Sequence, residues 1–370
     1  MLIYTVIGAR PQFIKAAAVS KAFKKINQEQ LLIQEEIIHT GQHYDKNMSS
    51  DFFEELEIEK PLYNLDINKG NHGSNTGRML EEIEKILIKN KPDGVLIYGD
   101  TDSTLAGALA ASKLNIPLFH IEAGLRSFNK RQPEEQNRIV ADHLSDICFT
   151  PTNIGKSNLL KESINEKNII ETGDVMADAA RIFCLNKSIS LTLIKKLDVD
   201  FKNFILLTIH RKENTDSKSN LIEIFEALQE IDKTIIFPLH PRTKQRIIKY
   251  DLQKYIQNLK IIEPVSFREM LALERNALLI ITDSGGIQKE AYMQNTPSVT
   301  LRDQTEWLEL LNEGNNILAK PLTKNKILEC INKQIKIKVD YSKNLYGDGH
   351  SSERIVRFIY KFLFNKKNDQ

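Results

Sequence analysis

The chain has 370 residues, 41% of them hydrophobic, and carries 51 Lys and Arg against 49 Asp and Glu. That length supports two ordinary domains, each with its own core, and excludes a minimal module that depends on staples. Basic residues dispersed among acidic ones exclude a nucleic-acid binder, and the short KNKK near the C-terminus reads as a solvated tail.

The opening MLIYTVIGARP has a short apolar run without the basic flank and small-residue cleavage pattern of a signal peptide. No stretch reaches the length of a transmembrane span, so no membrane insertion is expected. Cys148, Cys184 and Cys330 are far apart, odd in number and without metal-ligand spacing. They read as buried thiols in a reducing cytoplasm.

Short apolar runs alternate with helical periodicity. Candidate strands are 2–7, 31–38, 94–98, 116–121, 147–149 and 167–170, with helices near 12–26, 75–90, 103–113, 134–144 and 153–163. Such alternation predicts a parallel sheet covered by helices. After about residue 175 the pattern restarts, with strands at 203–209, 234–238, 259–261, 278–281 and 298–301. Helices are expected there near 217–230, 243–257, 266–275, 285–293 and 324–336. The expected domains are 1–174, 175–347 and a terminal segment, 348–370. Its helix, 351–364, gathers Ile355, Val356, Ile359 and Phe362 on one apolar face that needs a docking surface. Two such units predict ligand binding at the carboxyl edges of their strands.

Seven segments sit at or just beyond those edges. In Gly8-Ala9-Arg10-Pro11-Gln12-Phe13-Ile14-Lys15, Pro11 suits a first helical turn, and amides at the turn can face an anion that Arg10 and Lys15 hold. In Gly99-Asp100-Thr101-Asp102 the acids cap the next helix or serve as a base; Asp102 reads as the cap and Asp100 as the base. Glu122 and Arg126, in HIEAGLR, form a structural pair or flank a site. Glu134 and Glu135 suit the positive end of the helix begun by Pro133, and Glu134 with Asp100 and Glu122 gives enough carboxylates for opposed proton transfers. In the second half, His210-Arg211 and His240-Pro241-Arg242 follow successive strands. Ser284, Gly285 and Gly286 open a helix suited to phosphate, with Glu290 placed to reach ribose hydroxyls. His39 and His43 stand four apart without an accompanying zinc motif, and a dinucleotide fingerprint is absent, so neither a metal nor a resident NAD is expected.

Taken together and in order, GARPQFIK (8–15), TGQHYD (40–45), YGDTDSTLAGALAA (98–111), HIEAGLRSFN (120–129), PEEQNR (133–138), TGDVM (172–176), IHRKEN (209–214) and TDSGGIQKEA (282–291) resemble the non-hydrolysing UDP-N-acetylglucosamine 2-epimerase family. The resemblance implies two facing Rossmann-like domains in a glycosyltransferase-B-like arrangement, the terminal helix returning to the first, and a homodimer. It implies a diphosphate near Arg10, His210, Ser284 and Gly285, with Glu290 on the ribose. Lys15, Asp100, Glu122, Glu134 and Arg138 would line the sugar, with His240 in support. The implied partner is a UDP-linked acetamido sugar, and the implied reaction inverts C2 without a cofactor: UDP leaves C1 as the C2 proton is removed, then adds back while a proton arrives on the other face. Ala9, Gln12 and Arg131 depart from the simpler members and resemble the branch acting on UDP-2,3-diacetamido-2,3-dideoxy-glucuronic acid. Gln12 and Arg131 would favour a carboxylated sugar if both faced it. A hydrolysing epimerase, a retaining glycosyltransferase and a nucleotide-sugar-binding module are the competing outcomes.

Overall fold

The computed structural model describes residues 1–29, 31–42, 53, 55–184 and 187–368. They form two compact units, Met1–Ile182 with Tyr346–Gln370, and Phe183–Leu345. His43 lies outside the described residues.

The first unit is built on a seven-stranded parallel sheet in the order β3-β2-β1-β4-β5-β6-β7. Its strands are β1 (Leu2–Ile7), β2 (Gln34–His39), β3 (Tyr63–Asn64), β4 (Gly94–Tyr98), β5 (Leu118–Ile121), β6 (Ile147–Thr150) and β7 (Ile169–Glu171). All five residues of β4 are buried. Helices cover both faces of a parallel sheet, which is why its central strands are unbroken apolar runs. The second unit repeats the plan with six parallel strands in the order β10-β9-β8-β11-β12-β13. These are β8 (Phe204–Thr208), β9 (Thr234–Pro238), β10 (Lys260–Ile262), β11 (Leu279–Thr282), β12 (Ser298–Thr300) and β13 (Asn316–Leu318).

The terminal helix Ser351–Asn368 belongs to the first unit. It buries Ile355, Val356, Ile359 and Leu363. Leu363 takes the fully buried place expected of Phe362, whose ring instead stands edge-on to Phe119 at 5.6 Å. Phe358 meets Phe149 likewise at 5.8 Å. Ion pairs from Lys25 to Glu353 (2.7 Å) and Arg357 to Glu29 (2.6 Å) join this helix to Arg10–Gln28. Its first amides, Ser351 N and Ser352 N, donate to the Asp178 carboxylate at 3.0 and 2.6 Å, where a negative charge offsets the positive end of the helix. Asp174 N also donates to Tyr346 O at 2.9 Å. These ties keep most of the helix Val175–Cys184 with the first unit, so the division falls inside that helix and not ahead of it.

The short strands β3 and β13 and the helices Val175–Cys184 and Lys187–Lys196 were not expected; two- and three-residue strands carry too little pattern to read. The helix expected over 243–257 is shorter. It runs Pro241–Lys249, is stopped by Asp251 in the left-handed region (φ 58°), and is followed by a 3-10 turn at Gln253–Ile256.

One polar group inside the first unit makes its stability depend on pH. Glu35 on β2 accepts from Thr5 Oγ1 at 2.6 Å, and burial pushes its carboxyl from 4.5 up to about 7. A raised carboxyl pKa means that the fold favours the protonated form. The contribution is therefore complete below the unfolded value and lost as pH rises through about 7. Glu35→Gln is expected to leave stability near about pH 4 unchanged and to raise it by about 3 kcal/mol near about pH 8. Urea unfolding at the two pH values measures the difference, and an equal effect at both would remove Glu35 as the source.

Candidate functional site

In each sheet the strand order reverses once, and the helices entering that crevice begin just beyond the strands' carboxyl ends. In the first unit the reversal lies between β1 and β4, followed by Gly8–Lys15 and Gly99–Thr104. In the second it lies between β8 and β11, followed by His210–Arg211 and Asp283–Gly286.

At the first reversal Gln12 ties the two turns together. It is almost fully buried. Its Oε1 accepts from Gly8 N (2.8 Å) and Ala9 N (3.0 Å), while its Nε2 donates to Tyr98 O (2.8 Å) and towards Thr101 and Thr104 Oγ1 (each 3.0 Å). Two expectations are corrected by this. The Gly8 and Ala9 amides are occupied by the side chain and are not offered to an anion. Gln12 points inward, so it does not favour a carboxylated sugar. Its amide both accepts and donates here, whereas a carboxylate in its place would only accept. Arg10 is exposed at the start of the helix, and Arg131 is exposed in the turn before Pro133.

The sheet edge brings four of the expected residues into two ion pairs. Lys15 Nζ contacts Glu122 Oε2, with both side chains nearly buried, and Arg138 Nη2 contacts Asp100 Oδ2. Gly99 lies between them. Its φ is +61°, and a Cβ there would stand 3.1 Å from Glu122 Oε2 and 3.6 Å from Lys15 Nζ. Glycine supplies both the left-handed turn and the close approach. Glu122 itself has φ +69°, an uncommon conformation for a residue with a side chain and one that collects at functional sites. Glu134 is exposed one turn ahead of Arg138 on the helix Pro133–Leu144, on the same face by its i,i+4 spacing. No direct contact joins it to Asp100 or Glu122 in the way the two ion pairs are joined. Its neighbour Glu135 turns inward and accepts from Ser127 N (2.9 Å) and Phe128 N (2.8 Å).

Two further assignments change. Thr101, not Asp102, caps the helix Asp102–Lys113, its hydroxyl accepting from Thr104 N. Asp102 instead accepts from His72 Nδ1 (2.7 Å) and Asn137 Nδ2 (3.1 Å). Arg126 does not pair with Glu122. Its guanidinium reaches Asp142 (2.7 Å) and grips both oxygens of Glu162 (2.7 and 2.6 Å). His39 is a core residue, with Nδ1 3.0 Å from Asn64 Oδ1 and its ring against Phe13. Among the described residues no group of three His, Cys, Asp or Glu is placed to hold a metal ion.

At the second reversal a buried acid organises the loop. Asp283 accepts from His210 N (3.0 and 3.1 Å), Arg211 N (3.0 Å) and Asn214 Nδ2 (3.1 Å). His210 Nδ1 is 3.5 Å from the same carboxylate. Burial lowers the His210 pKa, opposed in part by Asp283, so the ring favours its neutral form. The His210 and His240 rings stand 5.6 Å apart. His240 is the N-cap of Pro241–Lys249, its Nδ1 accepting from Arg242 N at 3.1 Å, which leaves the proton on Nε2. Ser284 caps Gly285–Met293 by accepting from Ile287 N at a long 3.4 Å. Gly285 lies tight against Glu306, where a Cβ would collide. Glu290 is buried in that helix. Nearby Glu274 is fully buried and kept neutral, first by burial and then by the charge of Glu290.

Asp283 and Asn214 are organising residues that sequence reading passed over, and Gln12 is one that it read as facing a sugar. For Asp283 a signal exists in its place between β11 and the Ser284 cap. For Gln12 no local signal marks an inward turn.

Comparison with known proteins bears on these loops. The family model described as UDP-N-acetylglucosamine 2-epimerase matches residues 24–360. A UDP-N-acetylglucosamine 2-epimerase homolog from Methanococcus maripaludis is 50% identical over 97% of this chain and 99% of its own length. The UDP-2,3-diacetamido-2,3-dideoxy-D-glucuronate 2-epimerase of Pseudomonas aeruginosa is 48% identical over 98% of this chain and 100% of its own. The crystal structure of the Methanocaldococcus jannaschii UDP-GlcNAc 2-epimerase, in complex with UDP-GlcNAc and UDP, aligns with a TM-score of 0.85 and 45% identity, covering 97% of this chain and 99% of that one.

Proposed function

The chain belongs to the UDP-N-acetylglucosamine 2-epimerase family, and from that membership we propose that it inverts C2 of UDP-N-acetylglucosamine to give UDP-N-acetylmannosamine without hydrolysis. The observation that carries the proposal is the pair of ion pairs around Gly99: two carboxylates, Asp100 and Glu122, each with its own cation, at the carboxyl edge of one sheet.

UDP departs from C1 as the C2 proton is removed, giving a 2-acetamidoglycal. UDP then adds back to C1 while a proton is delivered to the opposite face of C2. Asp100, Glu122 and Glu134 are the acid/base set, and Lys15 and Arg138 orient the carboxylates of Glu122 and Asp100. Arg10, His210, Ser284 and Gly285 take the diphosphate, where donors offset the charge gathering on the leaving group. Glu290 takes the ribose hydroxyls and His240 supports the phosphate side. The steps need no net hydride transfer and hence no redox cofactor. The acting form is a homodimer in the cytoplasm that feeds polysaccharide synthesis. The cysteines support that compartment, since Cys148, Cys184 and Cys330 are all free thiols.

A second reading, C2 inversion of UDP-2,3-diacetamido-2,3-dideoxy-glucuronic acid, is favoured by the 48% identity to an enzyme of that name. Of the two residues offered for it by sequence, exposed Arg131 alone remains able to meet a sugar carboxylate. Both UDP-sugars are incubated with the protein in deuterated water and followed by NMR, with free UDP measured separately. Deuterium at C2 of a UDP-linked manno epimer is the expected result, and the faster substrate decides between the sugars. Quantitative release of free N-acetylmannosamine, or no exchange at C2 of either, would reject the proposal.

A further inference from the structure

Beneath the Gly99–Asp100 turn lies a charged group to which the chemistry above gives no part. His120 on β5 is fully buried. Its Nδ1 is 2.7 Å from Asp142 Oδ1, and its Nε2 is 2.8 Å from Gly99 O. Both partners are acceptors. The Gly99 carbonyl can only accept, so Nε2 carries the proton of that bond, while the Asp142 carboxylate brings a buried charge to the other side of the ring.

The surroundings answer that charge locally. Asp142 also accepts from Arg126 Nη1 (2.7 Å) and Gly124 N (3.1 Å), and Arg126 in turn holds Glu162. Burial raises the thiol of Cys148, whose Sγ lies 3.5 Å from Asp142 O, and keeps it uncharged. The buried Asp142 carboxylate therefore has a counter-charge in Arg126, as a buried charge requires. The Gly99 peptide is held on both sides by β5, since Gly99 N donates to Ile121 O at 2.9 Å while Gly99 O takes the His120 ring. Asp100 is the next residue, and Glu122 is the one against which a Cβ on Gly99 would press.

We propose that His120 is a positioning residue for epimerisation: its ring, anchored to Asp142, clamps the Gly99 carbonyl and thereby sets Asp100 against Glu122. The inference rests on the acid/base reading of those two carboxylates. His120 itself is buried behind the peptide and acts through Gly99.

Two substitutions separate the two ring contacts. In His120→Gln the side-chain amide reaches where Nε2 stands and can keep the Gly99 bond, whereas in His120→Asn it reaches where Nδ1 stands and keeps only Asp142. C2 proton exchange on the full chain is expected to fall by about 100-fold in kcat for the Asn variant, with KM and UDP affinity within about threefold. The Gln variant is expected to stay within about tenfold of the parent. Equal rates in the two folded variants, or a greater loss in the Gln variant, would overturn the clamp. NMR of the parent protein with labelled histidine reads the ring directly, with assignment by either variant that folds or by contacts to Gly99 and Asp142. A proton on Nε2 of the His120 ring supports the proposal and a bare Nε2 overturns it. A parent protein that exchanges no C2 proton would instead remove the acid/base reading, and the ring protons would still report whether the Gly99 contact is made.

Discussion

Asp100→Asn and Glu122→Gln are each expected to lower C2 proton exchange by about 10³-fold while UDP binding stays within a few-fold of the parent. Each change keeps the shape of the side chain and removes a charge that a cation answers, Arg138 for Asp100 and Lys15 for Glu122. The two losses have different companions. Lys15 and Glu122 are both nearly buried, so Glu122→Gln leaves an ammonium without its counter-charge and is expected to destabilise the first unit by about 3 kcal/mol as well. Asp100 is a third exposed, and its partner can turn to water, so Asp100→Asn is expected to cost less than about 1 kcal/mol. Glu134→Gln, on an exposed carboxylate, should leave stability alone and report only on chemistry. Exchange measured by NMR, UDP binding by calorimetry and stability by urea unfolding give the three readings. Unchanged exchange in all three variants would reject this acid/base set.

Asp283→Ala is expected to have the largest effect in the second unit. The carboxylate is fully buried and takes the main-chain amides of His210 and Arg211 and the side-chain amide of Asn214. Removing it strands several buried donors at a cost of about 1–3 kcal/mol each, so a total of about 4–5 kcal/mol is expected. Asp283→Asn keeps one acceptor oxygen and should fold with about half that loss. In the Asn variant the loop bearing His210 is held by fewer bonds, and UDP affinity is expected to drop about 100-fold. Calorimetric titration of the folded Asn variant with UDP tests this. Parent-like affinity would show that the Asp283 network serves the fold and not the diphosphate.

Positions at the ends of strands were legible because apolar runs and turn residues locate those ends directly. Asp100 after Tyr98 and Glu122 after Ile121 needed only the order of the first sheet to be brought to its carboxyl edge, as Ser284 after Asp283 needed only that of the second, and the alternation of runs supplied both. Partners chosen across the fold were not legible. Glu122 selects Lys15 over Arg126, four residues away, because Arg126 turns below the sheet edge to Asp142 and Glu162. Gln12 and Asp102 look like surface polar residues beside a helix start. Their inward turn follows from partners on other elements, Tyr98 O at the end of β4 for the one and Asn137 on the helix Pro133–Leu144 for the other. The helix expected over 243–257 failed for a local reason, a left-handed Asp251 within an otherwise helical pattern.

The helix Ser351–Asn368 lies last in sequence yet completes the unit that contains the first strand. As the nascent chain leaves the ribosome, the second unit has all of its residues before the first does. The apolar surface around Phe119 and Phe149 waits uncovered until that helix has been made. A premature stop ahead of Ser351 would therefore leave the second sheet whole and expose the first, placing the damage at the opposite end of the gene product from the missing residues.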